Sequence, residues 1–199
     1  LHIPYRDIAV LYRTNAQSRL LEERFVHKNI PYQVVGGVNF YQRKEIKDIL
    51  AYLKTIDSGM DDLAVQRIIN VPRRGIGATS IGKVMNFAGA HNLRFYEALK
   101  ESDLIDTLGK VHGKIEGFVD VIENLRAQAS VLDLPDLIEA VIRDTGYEDE
   151  LKNDDAVSVQ ARMENIQELI NKAADFSIRA KEKEDLLGRF LEEVALVSD

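Results

Sequence analysis

The sequence predicts a mainly helical domain that follows a short β–α–β segment, and three observations support this prediction. Apolar residues recur at helical spacing through most of the chain from residue 43 onward. Residues 7–12 and 32–35 are instead short apolar runs rich in strand-forming side chains. With 199 residues, of which 45% are hydrophobic, the chain is long enough to bury a core. We expect a helical domain at residues 37–199 and a fragment of another domain at residues 1–36.

The N-terminal segment has the pattern of a strand, a helix and a second strand. Residues 7–12 form a nearly continuous apolar run, which is typical of a strand buried on both faces of an α/β sheet. Pro31 ends the helix that follows, because proline disfavours helical geometry in the residue before it. A unit of this size does not close a sheet, so both strands need neighbours from elsewhere.

Gly36 and Gly37 interrupt this pattern, and we interpret them as the domain boundary and a candidate hinge. A simple tight turn after the second strand is the alternative. The first helix beyond them, at residues 43–53, has an apolar stripe of Ile46, Ile49, Leu50 and Leu53. Further helices are predicted over residues 63–69, 81–91, 95–99, 111–125, 134–145, 159–170 and 186–191. Asp61-Asp62 and Asp133 mark the starts of two of them.

The tripeptide Gly75-Ile76-Gly77, the glycine turn, lies between two of these helices and follows Arg73 and Arg74. Glycine allows the chain to turn tightly without a Cβ. Backbone N–H groups at the start of the next helix can then face a phosphate, which the helix dipole also favours. This pattern predicts a helix-hairpin-helix-like turn that binds a nucleic-acid backbone and reads no base.

Polar side chains beyond the turn add to this prediction. Thr79 or Ser80 can cap the second helix, or its hydroxyl can donate a hydrogen bond to the same phosphate. Lys83 adds a positive charge one turn further on. The alternative is that a Gly-x-Gly sequence between helices is only a tight turn, with the first glycine as a C-terminal cap.

The distribution of charge favours nucleic-acid binding at this turn, although the whole chain has a formal net charge of −7. Residues 66–100 contain six Lys or Arg and one Asp or Glu, whereas residues 101–199 contain eleven against twenty-four. The local field, rather than the total charge, governs where a polyanion binds. The acidic second half leaves open another function, namely a protein-docking or autoinhibitory surface.

Several kinds of chemistry lack their usual residues in this sequence. Without cysteine there is no disulfide framework and no thiolate ligand. The nucleotide-binding pattern Gly-x-x-x-x-Gly-Lys-Ser/Thr is absent. The four histidines are scattered without the spacing of metal ligands, and the acidic pairs stand at predicted helix starts. We expect no catalytic residue and no metal site, so the chain alone should be inactive.

Five motifs in order resemble those of superfamily 1A DNA helicases, the family of PcrA, UvrD and Rep, with the PcrA group most alike. Residues 9–19, Ala-Val-Leu-Tyr-Arg-Thr-Asn-Ala-Gln-Ser-Arg, are similar to a motif of the second RecA-like domain, 2A. Residues 36–41 with 45–53, and residues 70–77, 162–169 and 190–196, are similar to later motifs of the same family. The resemblance extends from about residue 7 to the end of the sequence.

This resemblance implies a domain organisation and DNA contacts. Residues 1–36 would belong to domain 2A, and residues 37–199 would form 2B, a helical domain that swivels on 2A. The glycine turn would hold duplex DNA ahead of the fork. The residues near the single strand would be Asn15, Gln17, Ser18 and Arg19.

The resemblance also implies what the parent protein does. It would be a cytoplasmic, ATP-dependent 3′-to-5′ DNA helicase that acts in DNA repair and replication. ATP and Mg²⁺ would bind to parts of the parent that this sequence lacks, so no cofactor is expected in the fragment. Regulatory proteins are a further class of expected partner.

Overall fold

The computed structural model describes residues 3–12, 15–34, 40–152, 156–180 and 184–198. Within these ranges no residue is in a β-strand, and the chain is mainly helical, as predicted. The α-helices are α1 (Asn15–His27), α2 (Lys44–Asp57), α3 (Asp62–Ile68), α4 (Ala78–His91), α5 (Phe95–Lys100), α6 (His112–Ala129), α7 (Leu134–Thr145), α8 (Tyr147–Leu151), α9 (Ala156–Arg179) and α10 (Leu186–Ser198). None of the helices in these ranges is both long enough and apolar enough to span a bilayer.

Helix α2 lies at the centre of the fold and contacts α3, α6, α7, α9 and α10. Its predicted apolar stripe is buried, but so are most of its other faces, including the polar residues Glu45, Asp48 and Thr55. Each of these polar side chains has an internal hydrogen-bond partner, as buried polar groups require. The spacing of the apolar residues therefore predicted this helix correctly. The helix is, however, buried on more faces than a single apolar stripe indicates.

Capping aspartates set the starts of two helices where the sequence predicted them. Asp61 precedes α3 and accepts a hydrogen bond from the Ala64 N–H at 3.0 Å. Asp133 does the same for α7, where it accepts from the Asp136 N–H at 3.1 Å, and Pro135 lies in the first turn. The predicted helix starts at these aspartates are confirmed.

The N-terminal segment differs from its prediction. Its helix, α1, is present, but residues 8–12 and 32–34 have no regular secondary structure, so the predicted strands are not formed there. Ile8 and Leu11 are 53% and 93% exposed. A strand buried on both faces needs partners on each side, and the described part of the chain provides none. The predicted hinge, Gly36 and Gly37, lies outside the described residues.

A buried polar network attaches α1 to the rest of the molecule. Arg43, just before α2, donates from Nη2 to Ser18 Oγ at 3.1 Å and from Nη1 to Asn165 Oδ1 at 2.7 Å. Asn165 in turn donates from Nδ2 to Glu45 Oε1 at 2.5 Å. Each of these four residues is more than nine-tenths buried. Because buried polar groups are costly unless they are paired, the network fixes α1 against α2 and α9.

Candidate nucleic-acid interface

The glycine turn joins α3 to α4, with one buried residue between two exposed glycines. Ile76 is only 1% exposed and anchors the turn in the core. Gly75 has a φ of +73°, a left-handed conformation that glycine adopts without steric cost. Gly77 is the N-cap of α4, with φ −88° and ψ 169°. The turn therefore presents its glycine backbone to solvent while its middle side chain is held inside.

Asn70 holds the inner side of this turn. Its Oδ1 accepts hydrogen bonds from the N–H groups of Arg74 and Ile76, at 2.9 and 3.2 Å. The N–H groups of these two alternate residues therefore face inward, and their hydrogen-bond acceptor is part of the protein itself. This role for Asn70 was missed by the sequence analysis, because nothing in the local pattern shows which backbone groups an asparagine will meet.

The outward N–H groups at the start of α4 are available to a ligand. The Ser80 N–H donates to the Gly77 carbonyl, which closes the first turn of the helix. In the part of the chain that the structure describes, the following N–H groups have no acceptor and belong to exposed residues: Gly75, Gly77, Ala78 and Thr79. Three of them belong to the start of a helix, where backbone donors lack intrahelical partners.

Thr79 and Ser80 do not cap α4, contrary to the first alternative given by the sequence. They are the second and third residues of the helix, and the cap position is taken by Gly77 without a side-chain hydrogen bond. Thr79 is exposed and Ser80 is half-buried. Both residues lie in the first turn of α4.

The two adjacent arginines have different surroundings. Arg73 is exposed, and its backbone N–H donates to Glu150 Oε2 at 3.3 Å. Arg74 instead folds back over the end of α3. Its guanidinium donates to the carbonyl oxygens of Ile68, Ile69 and Pro72 at 3.1–3.3 Å.

Arg74 is also held from its other side by the core. Its Nη2 donates to the Tyr52 hydroxyl at 2.8 Å, and its guanidinium lies 5.3 Å from the centre of the Phe118 ring. The Tyr52 hydroxyl donates in turn to the Val71 carbonyl. Burial raises the pKa of Tyr52 and keeps this hydroxyl protonated, so it can donate. Arg74 therefore supports the turn from inside.

One lysine, from α6, lies beside the glycine turn, and another, from α4, contacts the segment that precedes α6. The Lys83 ammonium, on α4, donates to the Thr107 carbonyl in the 3₁₀ turn Asp106–Val111 that precedes α6. Lys114, on α6, is exposed, and its ammonium nitrogen lies 2.6 Å from the position that a Cβ at Gly75 would occupy. Lys114 was missed by the sequence analysis, because only the tertiary fold brings α6 to the turn.

The residues predicted to lie near single-stranded DNA are on α1, which packs against α9 and the 3₁₀ turn Phe40–Gln42. Gln17 is exposed, whereas Ser18 is 2% exposed and its hydroxyl accepts from Arg43. The side chains of Asn15 and Arg19 lie outside the described residues. The two predicted groups of DNA contacts therefore belong to different elements of the fold.

The described side chains form no candidate metal centre. Among them, no group of three or more His, Asp or Glu residues is arranged to hold an ion. His112 illustrates this, since its ring contacts Ser102 Oγ at 3.1 Å and Glu116 Oε2 at 3.3 Å. What the glycine turn offers a ligand is therefore a set of backbone donors with cationic side chains beside them.

The chain belongs to the family of UvrD-like helicase C-terminal domains, whose model matches residues 2–199. Its relatives include the proteins named ATP-dependent DNA helicase PcrA from Staphylococcus aureus and Staphylococcus epidermidis, each 41% identical to it over 195 residues. The aligned region covers 98% of this chain and 27% of each relative, so the chain spans about a quarter of their length. The predicted membership of the PcrA and UvrD family is confirmed.

Proposed function

We propose that this chain is a duplex-DNA-binding accessory domain of an ATP-dependent 3′-to-5′ DNA helicase that acts in repair and replication. Family membership and the names of its relatives support the helicase assignment. The strongest support for duplex binding is the set of outward N–H groups at Gly75 and at the start of α4. In this proposal residues 37–199 form domain 2B, residues 1–36 are part of domain 2A, and Gly36 and Gly37 form the hinge.

The proposed mechanism is electrostatic and positional. A phosphate placed at the start of α4 receives hydrogen bonds from backbone N–H groups and is favoured by the helix dipole. Ile76 keeps the turn in place from inside, and exposed Arg73 adds a positive charge next to the phosphate. Because these groups contact the DNA backbone and no base edge, binding does not depend on base sequence.

We propose supporting roles, rather than direct DNA contacts, for two of the predicted site residues. Arg74 and Lys83 shape the interface, since both cationic groups already donate to carbonyl oxygens of the protein. Gln17, with Asn15 and Arg19, remains a proposed contact to single-stranded DNA. ATP and Mg²⁺ are proposed to bind to other parts of the parent helicase, which we place in the cytoplasm.

We expect the chain to bind duplex DNA weakly and with a clear dependence on salt. Two or three phosphate contacts give a log–log slope of about −2 to −3. Arg73→Ala should reduce the size of this slope by about one and weaken binding at low salt, because it removes one phosphate-neutralising charge. Fluorescence anisotropy with a labelled duplex across a salt series measures both quantities. Binding that does not change with salt would contradict the mechanism.

Amide chemical-shift mapping with a short hairpin duplex locates the binding site directly. The proposal predicts the largest shifts at Gly75, Gly77, Ala78 and Thr79, whose N–H groups point outward. The Ile76 N–H is the internal control, because it is bonded to Asn70 and should respond less. No response of these amides to the duplex would contradict the proposal. Gly75→Ala and Gly77→Ala variants that keep full DNA affinity would favour the protein-docking alternative.

A further inference from the structure

We infer that Lys114 is a further DNA-binding residue, whose ammonium group binds the same phosphate as the outward N–H groups of the glycine turn. This inference rests on the proposed function and deepens it, because it adds a cation from α6 to a site otherwise built from α4. Neither the family match nor the sequence pattern assigns a role to this residue.

The position of the Lys114 side chain is the first argument. A Cβ at Gly75 would lie 2.6 Å from Lys114 Nζ, 3.8 Å from Cε and 4.0 Å from Cδ. The charged end is therefore the part nearest to the turn, and it occupies the space left by the missing side chain of Gly75. Glycine at this position serves two purposes, since it allows the positive φ and leaves room for the ammonium group.

The availability of this charge is the second argument. Lys114 is exposed and forms no ion pair with any carboxylate in the described ranges. Within α6 its neighbours at three and four residues are Gly117 and Phe118, so the helix offers it no acidic partner at that spacing. By contrast, Lys54 and Lys152 are each paired with carboxylates. The Lys114 ammonium therefore keeps its donors for an external anion.

A contact between α4 and the segment before α6 brings the start of α6 close to the turn. Lys83 on α4 donates to the carbonyl of Thr107, in the turn just before α6, and so ties the start of α6 to α4. An ammonium group beside backbone N–H donors matches a phosphate, which accepts several charge-assisted hydrogen bonds at once. The surface presented by Gly75, the start of α4 and Lys114 is therefore complementary to one phosphate of a DNA backbone.

Lys114→Gln tests this inference, because glutamine keeps most of the stem and removes the charge. In the 199-residue chain, we expect duplex affinity at low salt to fall about three- to tenfold and the log–log salt slope to shrink by about one. Lys28→Gln is the matched control, since it removes one exposed charge just after α1 and should change neither quantity. Lys114→Arg should keep both near wild type, because the charge is retained. Equal effects of Lys114→Gln and Lys28→Gln would overturn the inference.

The same data separate this inference from the proposed function. If the wild-type chain binds DNA and the glycine-turn amides shift, but Lys114→Gln keeps the wild-type slope, only the role of Lys114 fails. If the glycine-turn amides do not respond to duplex DNA at all, the proposed function fails as well. Because Lys114 is exposed, its substitution should leave the unfolding midpoint unchanged, which urea titration checks.

Discussion

Replacing Arg74 by alanine is expected to destabilise the domain by about 2–4 kcal/mol. Its guanidinium donates to the carbonyl oxygens of Ile68, Ile69 and Pro72 and to the Tyr52 hydroxyl, so the substitution removes four part-buried hydrogen bonds. Arg74→Lys should restore little of this, because an ammonium group lacks the planar fork that reaches several acceptors at once. Urea unfolding followed by circular dichroism measures the change.

Arg73→Ala is the matched control, since it deletes the same side chain one residue earlier. Arg73 is exposed, so its removal should change the free energy of unfolding by less than about 0.5 kcal/mol while weakening DNA binding. We expect Arg74→Ala to lower DNA affinity only through loss of the shape of the turn. Equal stabilities of the two variants would show that Arg74 does not brace the turn.

Replacing Asp48 by alanine is expected to cost about 2–4 kcal/mol, because it removes a buried carboxylate that accepts two side-chain hydrogen bonds, one of them from the buried Tyr147 hydroxyl. Asp48 is 1% exposed. Its Oδ1 accepts from Arg67 Nε at 2.7 Å, and its Oδ2 accepts from the Tyr147 hydroxyl at 2.8 Å. These bonds join α2 to α3 and α8, so the loss should appear as a lower midpoint in urea unfolding.

Two further variants show whether burial is the cause. Asp120→Ala removes an exposed carboxylate on α6 and should change stability by less than about 0.5 kcal/mol. Tyr147→Phe removes only one donor to Asp48 and should cost about 1–2 kcal/mol. Burial raises the pKa of Tyr147, so its hydroxyl remains a donor in neutral buffer. An Asp48→Ala variant as stable as Asp120→Ala would contradict this account.

The helices were predictable because their signals are local. The apolar stripe of α2 and the capping aspartates Asp61 and Asp133 act within a few residues, and the structure confirms them. The flanks of the glycine turn were predictable for the same reason, since an apolar helical pattern ends before Gly75 and another begins after Gly77.

The remaining features depend on tertiary contacts that sequence spacing does not contain. Arg73 and Arg74 are identical neighbours in the sequence, but one side chain is exposed and the other is bonded to the end of α3. Asn70 and Lys114 acquire their positions from the fold around the turn. The predicted strand at residues 7–12 is not formed, because a strand requires neighbouring strands whatever its own residues favour.

Ala78→Pro tests the central claim most directly, because it removes one outward N–H group and little else. Ala78 is the first residue of α4, where proline fits the helix and its missing N–H is not needed. Gly77, with φ −88° and ψ 169°, already has the extended conformation that favours a following proline. The unfolding midpoint should therefore remain close to that of the wild type.

The decisive measurement is the duplex-DNA affinity of Ala78→Pro compared with that of Ala78→Val, which adds bulk at the same position and keeps the N–H group. If the start of α4 holds a phosphate through its backbone donors, Ala78→Pro should bind about five- to tenfold more weakly. Ala78→Val should bind like the wild type. If Ala78→Pro binds duplex DNA as tightly as the wild type, those N–H groups do not hold the phosphate and the account is contradicted.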